Sequence, residues 1–146
     1  MKIVLKFALC CLFLLFLAQA GCDEYLGSTV DCDNCFDVEP DSSDLIVDLT
    51  FDNGINSIPL VIYKGKIEEG SVEWIDTAYS SPFYLYVAVD EYYSVRAEYL
   101  FGDKKIVAVD GEKILSKHVS SDVCGYDCWV VTKGTLDVSL KYTDID

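Results

Sequence analysis

The sequence predicts an all-β chain, an antiparallel β-sandwich of about seven to nine short strands. Two observations carry this. Apolar and polar residues alternate with period two from residue 44 onward, and clusters of Gly, Asn, Asp and Lys punctuate the alternation. Period-two alternation places one set of side chains on a buried face and the other in solvent, which is the pattern of half-buried antiparallel strands. The complementary signal is missing: no segment there carries an apolar stripe at the 3.6-residue spacing of an amphipathic helix.

The elements follow in order. Leu45, Val47, Leu49 and Phe51 alternate with Ile46, Asp48 and Thr50 in the first strand. Shorter candidates are 58–63 (IPLVIY) and 72–78 (VEWIDTA). Phe83, Leu85, Val87 and Val89 then alternate with Tyr84, Tyr86 and Ala88, and Tyr93, Val95, Ala97 and Tyr99 with Ser94, Arg96 and Glu98. Segments 104–109, 113–119 and 128–132 come next, and Leu136, Val138, Leu140 and Tyr142 close the series. Asp52-Asn53-Gly54, Lys64-Gly65, Gly102-Asp103, Asp110-Gly111 and Lys133-Gly134 are the expected turns, because Gly, Asn and Asp tolerate the backbone angles that turns need. Trp74 and Trp129 sit among β-branched neighbours and are expected in the core.

The N-terminus reads differently. Met1 to Lys6 holds two lysines and no acid, and Phe7 to Ala18 is apolar. Twelve apolar residues fall short of the roughly 20 that span a bilayer as a helix. Residues 1–21 therefore read as a signal peptide, removed on export. Ala18-Gln19-Ala20 fits cleavage before Gly21, whereas Ala20-Gly21-Cys22 resembles the end of a lipobox, with Gln19 where an aliphatic residue is usual. Parity favours the second. Of seven cysteines, Cys10 and Cys11 leave with the signal, Cys32, Cys35, Cys124 and Cys128 form an even set, and Cys22 is left over. An odd cysteine in an exported chain needs a role, and a thioether to lipid supplies one. Membrane attachment through Cys22 follows as an expectation.

Loss of the signal removes two lysines and no acid, taking the formal charge from −14 to −16. Such a surface repels nucleic acid and anionic lipid head groups. Residues 22–43, rich in Asp and Ser, read as an acidic tether, with residues 44–146 as a single domain behind it.

The quoted runs IPLVIYKG, FYLYVAVDEYYSVRAEY and GTLDVSLKY resemble the transthyretin-like and immunoglobulin-like domains of bacterial surface proteins. Together with the signal, the chain resembles a small Bacteroidetes-type exported lipoprotein with an Ig-like domain. The resemblance implies the cell envelope, outer membrane or surface, and no assigned activity; a secreted or periplasmic protein is the alternative.

Cys32-x-x-Cys35 and Cys124-x-x-x-Cys128 admit two disulfides, a four-thiolate zinc site or a redox pair. Disulfides are favoured, because an exported chain meets oxidants first, and Asp31, Asp33 and Asp37 around the first pair argue against the stabilised thiolate a redox pair needs. Connectivity is open, with bridges between the two pairs preferred because they pin the tether end. No metal and no cofactor are expected. His118, the single histidine, lies near Ser116, Ser120 and Asp122, but no nucleophile elbow accompanies it, so no enzyme is expected. The stretch DCDNCFDVEPD lacks the glycine and final glutamate of a calcium loop. Tyr84 and Tyr86 carry the binding hint. If Phe83, Leu85 and Val87 point inward, both tyrosines stand outward, suited to a protein or glycan partner, with Tyr79 nearby in sequence.

Overall fold

The computed structural model describes residues 30–52 and 54–141. The expected signal peptide, Cys22, the first part of the tether and Tyr142 lie outside the described residues. A compact unit begins at Asp31. Its strands are β1 (Ser42–Asp48), β2 (Ile58–Lys64), β3 (Ser71–Ala78), β4 (Phe83–Ala88), β5 (Tyr92–Phe101), β6 (Lys104–Lys113), β7 (Leu115–Val119), β8 (Cys128–Thr132) and β9 (Thr135–Asp137). A 3-10 turn, Cys32–Asn34, precedes them, and one helical turn, Ser121–Cys124, separates β7 from β8.

The chain is all-β. One sheet has the order β3-β2-β5-β6, the second β4-β1-β9, and β7-β8 form a separate hairpin. Every pairing is antiparallel except β1 with β9, which run parallel. Immunoglobulin-like sandwiches set strands C′, C, F and G in one sheet against a second sheet holding B and E. Here β1 to β6 occupy the places of B, C, C′, E, F and G. The departure is β9, which lies beside β1 where an A strand would stand.

The two sheets meet along their inward faces. Leu45 and Val47 of β1, Val87 of β4 and Leu136 of β9 pack against Leu60 and Ile62 of β2 and Val95 and Ala97 of β5. Removal of this apolar surface from water is the main force holding the sheets together. The buried Tyr99 adds a polar tie. Its hydroxyl donates to the Val138 carbonyl at 2.8 Å and receives the Thr50 amide at 3.3 Å. Burial raises the pKa of that hydroxyl, so it stays a donor.

The structure corrects two expectations. Asp110-Gly111 is not a turn; both residues lie inside β6. The glycine serves packing. A Cβ there would come within 2.7 Å of Ser94 Oγ and 3.0 Å of the Tyr92 ring, whose hydroxyl donates to the Gly111 carbonyl at 2.8 Å. Trp74 is not a core residue; it is 38 % exposed. It lies on β3, the edge strand of the four-stranded sheet, and the facing sheet has only three strands to cover it. Residues 71–76 of β3 are all exposed for the same reason. Trp129, the other expected core tryptophan, is half-buried. At the C-terminal end, the ladder stops at Asp137, but the burial rhythm continues through Val138.

Candidate functional site

Alternation within β4 fixes the direction of the tyrosines. Val87 is buried and Leu85 and Phe83 pack on the core. Tyr84 and Tyr86 must then point the other way, and they are 58 % and 66 % exposed. Tyr86 is held in place by Ser42, whose Oγ lies 2.9 Å from the phenol oxygen. Tyr79 is also exposed, but it sits on the connection from β3 to β4 rather than in this row.

Strand register extends the row across the sheet. Tyr84 stands opposite Ile46 and Tyr86 opposite Asp44. Ile46 in turn stands opposite Thr135 of β9. Directly opposed side chains on one face are about 5 Å apart. The tyrosines therefore border the outward residues of β1 without a gap.

Those residues line a cleft of about 420 Å³. β1 and β9 contribute Asp44, Ile46 and Thr135 to it. The segment before β1 contributes Asn34 and Phe36, β8 contributes Val131, and the turn from β8 to β9 contributes Lys133. Lys133 takes a positive φ of 69°, and its ammonium lies 3.5 Å from the Glu112 carboxylate.

The side made by Asn34 and Phe36 exists because the chain is fastened there. Cys32 is bonded to Cys124 and Cys35 to Cys128. Between them and β8, Phe36 and Trp129 exchange two backbone hydrogen bonds, each 2.8 Å. Asp31 caps the 3-10 turn through the Asp33 amide and the Asn34 side chain. The bridges thus join the two cysteine pairs, the preferred arrangement. Three of the sulfurs, those of Cys35, Cys124 and Cys128, lie within 4.8 Å of one another. All four cysteines are consumed in S–S bonds, so no thiolate is left for zinc or for exchange.

His118 is placed in β7 opposite Trp129, with the rings edge to face at 5.2 Å. Among the described residues no hydrogen bond joins it to Ser116, Ser120 or Asp122. Ser116 instead turns its hydroxyl to Glu39 and Asp90, at 3.0 Å from each. Nucleophile and base are not brought together as a hydrolase needs.

The cleft itself was beyond sequence reasoning. The segment with Asn34 and Phe36 is far in the chain from that with Val131 and Lys133, and the two are brought together by the bridges and the Phe36–Trp129 backbone pair. No protein-family model, curated protein or solved structure matches this chain. Among the described residues no helix is long and apolar enough to cross a membrane.

Proposed function

We propose that this protein is a non-catalytic, lipid-anchored β-sandwich of a bacterial cell envelope that works by contact, presenting the outward face of β4 and β1 to a surface protein or glycan. One observation carries the contact reading: Tyr84 and Tyr86 stand side by side on the outer face, each more than half exposed. A folded domain gains nothing by leaving two large rings in water, whereas a contact surface uses their flat apolar faces and polar tips. Anchoring is supported by the basic and apolar N-terminus and by parity, since Cys32, Cys35, Cys124 and Cys128 pair with one another and leave Cys22 over in the sequence that follows the expected signal.

Each half of the reading has its own test. Cys22→Ala should abolish labelling by a fatty-acid probe and release the protein from the membrane fraction; unchanged labelling would rule the anchor out. For contact, cells displaying the protein are treated with an amine-independent crosslinker and the products compared with those of the Tyr84→Ala, Tyr86→Ala double variant. Loss of crosslinked species in the variant is expected. An identical crosslink pattern would leave only a structural role.

A further inference from the structure

We infer that the cleft bordered by Tyr84 and Tyr86 is a saccharide site, and that its ligand is a neutral oligosaccharide. The inference rests on the contact reading and names its ligand class.

Size comes first. About 420 Å³ lies within the range of small-ligand pockets, and the lining residues Asp44 and Ile46 stand directly opposite Tyr86 and Tyr84. Its chemistry is mixed. Phe36 offers an aromatic face that is about half exposed, and the half-buried Ile46 and Val131 line the same cleft. Around them stand Asn34, Asp44, Lys133 and Thr135, all short-range hydrogen-bonding groups on backbone held by strands or disulfides. Sugars present the matching surface: C–H patches that lie on aromatic rings, ringed by hydroxyls that both donate and accept. A purely apolar ligand would offer these polar groups no hydrogen bonds. The row Tyr84–Ile46–Thr135 continues the aromatic surface out of the cleft, which gives further sugar units of a chain somewhere to lie.

Charge narrows the class. Asp44 is in the cleft, and Lys133 is engaged by Glu112 at 3.5 Å. The chain as a whole carries −14. Uronates and sulfated sugars meet repulsion both locally and at a distance. Neutral sugars do not.

Rigidity is the remaining requirement, because an ordered site spends less free energy on ordering when it binds. The two bridges and the Phe36–Trp129 backbone pair fix the aromatic side of the cleft, so the site depends on oxidised cysteines.

Affinity electrophoresis tests this with the folded mature chain. Separate native gels contain mannan, xylan or a mixed β-glucan, with polygalacturonate as the anionic control. Retardation is expected in at least one neutral gel and not in polygalacturonate. Phe36→Ala and Asp44→Ala should each weaken that retardation about tenfold, a loss of about 1.4 kcal/mol, and Phe36→Tyr should restore it. Asp44 is exposed, so its variant keeps the fold even if the Phe36 variant does not. No retardation in any neutral gel overturns the inference, as does retardation by polygalacturonate alone. Retardation that survives Phe36→Ala and Asp44→Ala but is lost in the tyrosine double variant overturns the cleft and leaves the contact face standing. Loss of crosslinks in that double variant, without any retardation, assigns the face to a protein instead.

Discussion

The sandwich and the clamped hairpin are held together by different means. The sandwich hides Val47, Leu60, Ile62, Val95 and Ala97 completely and has no disulfide across it. The β7–β8 hairpin and the segment before β1 bury little: Val119, Cys128 and Val130 are the buried apolar residues on β7 and β8. This second region has its own β7–β8 ladder, and the segment before β1 is fastened to it by two S–S bonds, the Phe36–Trp129 backbone pair and the Ser116–Glu39 and Tyr126–Cys32 hydrogen bonds. A small core cannot extend over every appendage of a chain this size. Where burial is too thin to fix a cleft wall, covalent closure fixes it.

The sharpest way to separate the regions is to open the clamp. With all four of Cys32, Cys35, Cys124 and Cys128 changed to Ser, the unfolded chain regains loops closed over 92 and 93 residues. The chain-entropy account puts that loss on the order of 7 kcal/mol, about 4.7 for the long loop and roughly 2 for the short loop that the second bridge adds. The bridges are adjacent, so removing only Cys35 and Cys128 frees a much shorter loop and should cost roughly 2 kcal/mol. Urea midpoints of the two variants check the ratio; a single-bridge loss as large as half the double would show that the bridges do not act on a shared loop.

The sandwich is broken from inside. Tyr99→Phe keeps the ring but deprives the Val138 carbonyl and the Thr50 amide of their partner, and should cost about 1 to 3 kcal/mol. Reduction with a thiol should add to this loss, since the sites share no partner. A non-additive result would couple the clamp to the core.

The outer face should be nearly silent. Tyr84→Ala with Tyr86→Ala is expected to change stability by no more than about 0.5 kcal/mol per site. A drop near 3 kcal/mol per ring would be the behaviour of packed aromatics and would end the case for a contact surface.

The smallest effect concerns pH. Lys141 and Ser139 hold the Asp137 carboxyl at about 2, below its ordinary 3.8. A lowered folded pKa contributes stability above about pH 4 and loses it as pH falls towards 2. The pair is exposed, so the contribution stays below about 1 kcal/mol. Asp137→Asn should flatten the acid limb of the stability curve by that amount, as read from midpoints at pH 5 and pH 2.5.

Some of this was legible in the sequence and some was not, for physical reasons. Period-two alternation reports which way a side chain points relative to one core, so it placed Tyr84 and Tyr86 outward and Leu45, Val47 and Val95 inward. It carries no word on whether a core lies opposite. Trp74 looked buried by its neighbours, yet β3 has no strand facing it. Asp110-Gly111 has the composition of a turn, but a glycine that makes room for Tyr92 is spelt the same way. The cleft needed the crossing of chain segments joined by Cys32–Cys124 and Cys35–Cys128, and local spacing does not encode a crossing.

The parallel pairing of β1 with β9 also bears on how the domain is made. β1 is translated well before β9. Until β9 arrives, β1 is flanked by β4 alone, and one edge of its backbone is open. The disulfides join the same early and late stretches. Closure over such separations is slow compared with hairpin formation. A nascent or arrested chain is thus a sheet with a missing stave, able to accept a strand from a neighbour until its own last strand takes the place.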